Sequence, residues 1–228
     1  MRFSGRLVPA VFQSRPNRFL GVVLVEGIET LCFIPNPGRM KELLYRGARV
    51  YLIQVQSETR KTQYNLALVD HQGTLVSVDS NVPNKVVREA VDRGIIEPFK
   101  EFRVKKAEYT FGESRLDFLL ESDSGKLLLE VKSCTLIRDG VALFPDAPTK
   151  RGSRHLRTLT RGLTQGRSAV FFLIQRPDVN SFRPNMETDP DFAANLKEAN
   201  REGVEVYAYS SRVDFDGVFL GSRVPIDL

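Results

Sequence analysis

The chain has 228 residues, of which 42% are hydrophobic and 27% charged, and a net charge of +5, enough for one large or two small soluble domains with a real core. No apolar run approaches the ~20 residues that span a bilayer, and MRFSGRLVPAVFQSR at the N-terminus carries charges where a signal peptide is apolar. These features predict a cytoplasmic protein with no membrane partner. The two cysteines, Cys32 and Cys134, have no CxxC spacing and lie in separate apolar runs, so they read as free buried thiols of a reducing compartment. Candidate strands at 6–13, 19–26, 30–34, 49–56, 64–70 and 75–80 fill the first 80 residues. Turn signals such as Glu26-Gly27 and Gln72-Gly73 separate them, and one short helical piece is expected over 38–47. Short strands with a helix after the third predict a barrel of the oligonucleotide/oligosaccharide-binding (OB) type.

The pattern changes near residue 82. A helix over 82–94 has Asn81 or Asn84 as cap and Gly94 as stop. Strands follow at 102–111, 115–121 and 126–134, then a basic helix at about 150–163 and a fully buried strand at 169–175. A helix from Asp189 to about 202 and a strand at 204–210 complete the pattern. The fold class is therefore α/β (α+β): an OB-like β-barrel over 1–82, then an α/β domain over 83–228 with a mixed central sheet.

The stretch SRLDFLLESDSGKLLLEVKSC (114–134) reads as a hairpin whose apolar strands are interrupted by Asp117, Glu130 and Lys132. In the second strand Leu128, Glu130 and Lys132 alternate onto one face. Pairing through the ESDSGK turn brings Asp117 opposite residues near 130. Two carboxylates on neighbouring strands suit a hard divalent cation such as Mg²⁺ (or Mn²⁺), which polarises phosphoryl groups and lowers the pKa of water. Lys132 would orient that water or offset charge on phosphate. A blander arrangement stands beside this one: an exposed Glu130–Lys132 pair worth under ~1 kcal/mol, with Asp117 as a charge that protects a sheet edge.

Charge is unevenly placed. Residues 147–177 carry Lys150, Arg151, Arg154, Arg157, Arg161, Arg167 and Arg176 and no acid, a net +7, whereas 178–228 carry −5. On a helix Lys150, Arg154, Arg157 and Arg161 form one stripe opposite Leu156, Leu159 and Leu163, with Arg151 and His155 at the margin. No acid is interspersed to pair with them at i,i+4, so the stripe repels itself unless an anion visits. Lys150, Arg151, Arg154, His155, Arg157 and Arg161 are the candidate phosphate-contacting residues; a solvated helix face, and a packed His155, are the plain alternatives.

The strings IPNPGRM (34–40), RLDFLL (115–120), LEVKSCTL (129–136) and FPDAPTKRGSRHL (144–156) resemble the sugar fermentation stimulation protein A (SfsA) family along essentially the whole chain. The resemblance implies an OB-type barrel followed by a PD-(D/E)xK nuclease-like domain. It also implies sequence-independent DNA binding, which would fall to Lys150, Arg151, Arg154, His155, Arg157 and Arg161, and a regulatory role in sugar (maltose) metabolism. Asp117, Glu130 and Lys132 take the motif's Asp, Glu and Lys positions, although Leu116 stands where a literal Pro-Asp has proline. Glu89 matches an acid that many such nucleases carry on the helix before the sheet, making Asp117, Glu130 and Glu89 the expected metal ligands. Asp146 is expected either in support of that site or simply in the turn of FPDAP; Asn36 and Arg39 read as turn chemistry before a helix.

Three functions fit these observations. One is a metal-dependent nuclease, a second is a DNA-binding regulator whose site is silent, and a third is a sugar or oligosaccharide module. The absence of Trp and the localised positive charge weigh against the third. Oligomeric state is left open, a homodimer included.

Overall fold

A computed structural model describes residues 1–55 and 60–228; residue 56, at the end of one expected strand, lies outside them. The first sheet contains β1 (Leu7–Asn17), β2 (Leu20–Val25), β3 (Ile28–Phe33), β4 (Arg49–Gln54), β5 (Tyr64–His71) and β6 (Thr74–Ser77) in the order β3-β2-β1-β4-β5-β6. A parallel contact, Cys32 with Tyr64 and Phe33 with Asn65, closes β1 to β5 into the expected OB-like barrel. Alternation explains the filling: Ala10, Phe12, Val23, Cys32, Val50 and Leu52 point inward, and Met40 and Leu43 plug the core. The helix expected over 38–47 is absent, and turns stand there instead. Pro37-Gly38 opens the segment, Met40 adopts a φ of 47°, and Gly47 ends it at 91°, so no run of helical backbone can propagate.

The second domain is built on α1 (Val82–Asp92), the meander β7 (Arg103–Phe111), β8 (Ser114–Ser122) and β9 (Gly125–Cys134), then β10 (Ile137–Arg138) and β11 (Val141–Phe144). It continues with α2 (Lys150–Gly162), β12 (Arg167–Ile174), β13 (Ser181–Pro184), α3 (Pro190–Arg201), β14 (Glu205–Val213) and β15 (Val218–Arg223). The main sheet runs β15-β14-β12-β9-β8-β7 and is mixed: β12 lies parallel to both β9 and β14, and the remaining pairs are antiparallel. The central β12, RSAVFFLI, is apolar on both faces because both are covered. Ala169, Phe171 and Leu173 pack with α1, and Val170, Phe172 and Ile174 pack with α2 and α3. Strands β10, β11, β13 and β15 have no counterpart in the sequence reading. β10 and β11 join through Asp139-Gly140, both at positive φ, in a hairpin too short to show a periodicity. Cys32 and Cys134 are buried and unpaired in separate cores, and burial pushes the Cys32 thiol up to about 12.

Candidate functional site

The site forms where β8 and β9 part. Their ladder ends at Phe118 opposite Leu129, one residue short of Asp117 and Glu130. Side-chain alternation also breaks here: Leu116 joins the core under α2, while Phe118 and Leu120 join the core under α1. Asp117 fills the gap. Its Oδ2 accepts the Val131 amide at 2.8 Å, and its Oδ1 accepts Asn84 Nδ2 at 2.6 Å. Asn84 comes from the first turn of α1, whose start is set by Asn81 and by Pro83 within the first turn.

Glu130 lies on the α2 side of β9, with 5% of its side chain exposed. Lys132 Nζ donates to its Oε1 at 2.6 Å, and His155 Nδ1 bonds the same oxygen. Arg151 Nε donates to His155 Nε2 at 3.3 Å, which leaves the ring proton on Nδ1, the atom facing Glu130. Glu130 Oε2 is buried and, among the described residues, has no hydrogen-bond partner, an expensive state for a carboxylate oxygen unless something else takes it.

The electrostatics divide the two acids. Burial, then the neighbouring Glu130 charge, push Asp117 up to about 6, against the opposing donors Val131 N–H and Asn84 and the Lys132 ammonium. Burial also raises Glu130, but Lys132 and His155 outweigh it and hold this carboxyl below the usual range. Among the described residues no group of three or more His, Cys, Asp or Glu side chains forms a cage for a metal. Asp117 and Glu130 nevertheless fit a divalent cation: they are adjacent, one oxygen is orphaned, and Mg²⁺ commonly binds through one or two carboxylates while keeping water.

Asp117, Glu130 and Lys132 are therefore brought together, with Asn84 and His155 beside them. Glu89 is not. It lies near the far end of α1, is 44% exposed, and pairs with the Met1 amino group at 2.8 Å and Arg93 at 3.2 Å. The reason is helical phase: Asn84 sits at the end of α1 that reaches Asp117, and five residues on the helix has turned and risen away. Asn84, weighed from sequence only as a helix cap, holds the place instead; a polar side chain beside the buried Val82, Pro83, Val86 and Val87 was the available signal. Asp146 does not support the carboxylates either. Its Oδ2 accepts the Met40 amide at 3.2 Å, tying FPDAP to the barrel loop IPNPGRM.

The helix α2 lies over this face of the sheet. Thr149 caps it by accepting from Gly152 N at 3.0 Å, and Asp189, which caps α3, also takes the Thr149 amide at 2.7 Å. Lys150, Arg151, Arg154, Arg157 and Arg161 are exposed on the outer side, and Leu156 and Leu159 are buried beneath. His155 is also buried, 2% exposed, so it belongs to the carboxylate site and not to the basic surface on which the sequence reading placed it. Among the described residues, the side chains of Arg151 and Arg157 bond to neutral groups, His155 and Asn195.

These features define a two-domain α+β protein: an OB-like barrel joined to a mixed-sheet domain that holds a buried acid–acid–lysine constellation. The model described as sugar fermentation stimulation protein RE domain matches residues 81–217, and that of the SfsA N-terminal OB domain matches 14–78. The chain belongs to the sugar fermentation stimulation protein family. It is 48% identical over 225 residues to the homolog from Moorella thermoacetica, covering 97% of each chain. It is 44% identical over 223 residues to that from Caldanaerobacter subterraneus subsp. tengcongensis, again covering 97% of each. A solved structure of Pyrococcus furiosus SfsA in complex with Ca²⁺ superposes with a TM-score of 0.93 at 30% identity, covering 100% of this chain and 98% of that one.

Proposed function

We propose that this protein binds DNA without sequence preference through α2 and hydrolyses phosphodiesters at Asp117, Glu130 and Lys132 with the help of Mg²⁺ or Mn²⁺. The observation that carries the reading is the orphaned, buried Glu130 Oε2 beside Asp117, under an exposed helix that bears five bases and no acid. The Ca²⁺ complex of the Pyrococcus furiosus relative supports a divalent cation in this family. When bound, such a cation supplies Lewis-acid polarisation of the phosphoryl oxygen and makes a water more acidic. Asp117 and Glu130 would hold it. Lys132, no longer needed to balance Glu130, would offer its ammonium to the attacking water or to charge gathering on phosphate. Lys150, Arg154, Arg157 and Arg161 would fix the backbone by phosphate contacts that carry no sequence information.

One observation favours a silent site instead: the Lys132 ammonium already pairs with Glu130 at 2.6 Å, and His155 bonds the same oxygen. The protein would then act as a DNA-binding regulator. A single-turnover assay separates the two, with protein in excess over labelled duplex and single-stranded DNA in Mg²⁺ and in Mn²⁺. The wild type is expected to give product, and Asp117→Ala and Lys132→Ala none. Lys132→Ala should still bind the cation by calorimetry, and Asp117→Ala should not. Product no greater than the Asp117→Ala background on every substrate selects the regulator.

A further inference from the structure

Where the β1–β2 turn meets the end of β3, an exposed and a half-buried phenylalanine ring stand together. Phe19, in the β1–β2 turn, is 42% exposed. Phe33 ends β3 beside it, with ring centroids 6.0 Å apart and planes at 20°. The Arg18 guanidinium lies 5.7 Å from the Phe19 centroid, and that of Arg60 lies 5.3 Å from the Phe33 centroid. Asn17 Oδ1 accepts the Phe19 amide at 2.9 Å, and Asn65 Oδ1 accepts from Arg60 at 2.9 Å, so both edges of the pair carry side-chain amides. The barrel core does not use these rings; Cys32 and Ile34, on either side of Phe33, point into it.

The position of the pair matters as much as its composition. Arg15 donates to the carbonyls of Arg18 (2.6 Å) and Asn36 (2.8 Å) through Nη2, and of Gly38 and Arg39 (2.7 Å each) through Nη1. One guanidinium thus binds the turn carrying Phe19 to the IPNPGRM loop. The next residue of that loop, Met40, donates to Asp146, four residues before α2 begins. Gly38 allows the close approach, since a Cβ there would fall 2.6 Å from Asp146 Oδ2. These bonds join the turn carrying Phe19, through the IPNPGRM loop and its exposed Arg39, to the segment that leads into the basic helix.

We propose that Phe19, Phe33, Arg18 and Arg60 form a stacking platform for the unpaired bases of single-stranded nucleic acid. Resting on the DNA reading above, this makes the substrate a DNA with a single-stranded segment beside a duplex. Unpaired bases offer flat π-faces to aromatic rings and a phosphate within reach of each guanidinium, and that pairing of stacking with cations is how single strands are held without sequence preference. A carbohydrate also stacks on aromatic rings, but the two cations here match a phosphodiester chain better than neutral hydroxyls.

The chain contains no Trp, so Phe19→Trp introduces a lone fluorescent reporter at the platform. Titration with oligo(dT) of about 12 nucleotides, a length within the range one barrel holds, is expected to quench it. In anisotropy, Phe19→Ala and, separately, Arg18→Glu should weaken oligo(dT) binding about tenfold, while blunt-duplex affinity changes less than about twofold. No quenching at saturating oligo(dT), or equal losses on single strand and duplex, overturns the platform. Quenching by a maltodextrin, or an Arg18→Glu effect confined to self-association in sedimentation, overturns it in favour of a carbohydrate or a second copy of the chain. Duplex binding by the wild type is a separate readout: its absence with oligo(dT) quenching intact defeats the α2 reading and leaves the platform standing.

Discussion

At the scale of single residues, Asp117 determines how the site responds to pH. Its folded pKa, about 6, lies above the ordinary 3.8, so the stabilising form is the protonated one. That contribution is full below about pH 4 and is lost as pH rises through 6, a cost on the order of 3 kcal/mol at neutral pH. A divalent cation reverses the balance by favouring the carboxylate. In EDTA the wild type should therefore lose stability between pH 4 and 7, and Asp117→Asn should lack that loss. Adding Mn²⁺ at pH 7.5 should raise the Tm of the wild type and leave that of Asp117→Asn unchanged. Identical pH slopes for the two proteins in thermal melts would show that Asp117 is not held against its charge.

Among the elements, α2 joins two tasks because its two sides differ. The buried side seats Leu156 and Leu159 in the core and His155 on Glu130, and the outer side presents Lys150, Arg151, Arg154, Arg157 and Arg161. Close seating depends on Gly162, where a Cβ would fall 2.4 Å from Leu128 Cδ1. The outer bases can be changed without disturbing the packing. Arg154→Glu combined with Arg157→Glu should weaken duplex binding by at least about tenfold, and the slope of log affinity against log salt should fall by about two. Circular dichroism and urea midpoint should stay at wild-type values. Unaltered affinity and slope in a salt titration would place the DNA elsewhere.

For the whole molecule, the question is what keeps the barrel in register with the second domain. Gln175, wholly buried after β12, is one answer. Its Oε1 accepts from Ser77 at 2.9 Å, and its Nε2 donates to Ser133 Oγ at 2.9 Å and Asp79 O at 3.2 Å. Its backbone also pairs with Ser77 and Cys134. Gln175→Ala would strand Ser77 and Ser133 in a buried seam, and unfolding in urea should show a loss of about 2–4 kcal/mol. A loss below about 0.5 kcal/mol would mean the domains are held by their other contacts, among them Asp146 with Met40 and the Met1 amino group with Val218 O.

Much of this was written locally. Alternation and turn residues gave the barrel strands, the meander β7–β9 and the placement of Glu130 and Lys132 on one face, because a strand's period and a two-residue turn are properties of a few consecutive side chains. The basic stripe of α2 was legible for the same reason. Other features depend on residues distant in sequence. Asn84 rather than Glu89 meets Asp117 because the packing of α1 fixes its phase against the sheet. His155 turns inward because the basic helix lies across the strand that carries Glu130. Phe19 and Phe33 come together when β2 pairs with β3, and Arg60 joins them after the barrel closes. Periodicity assigns a side chain to a face; only the packing of the elements decides what that face meets.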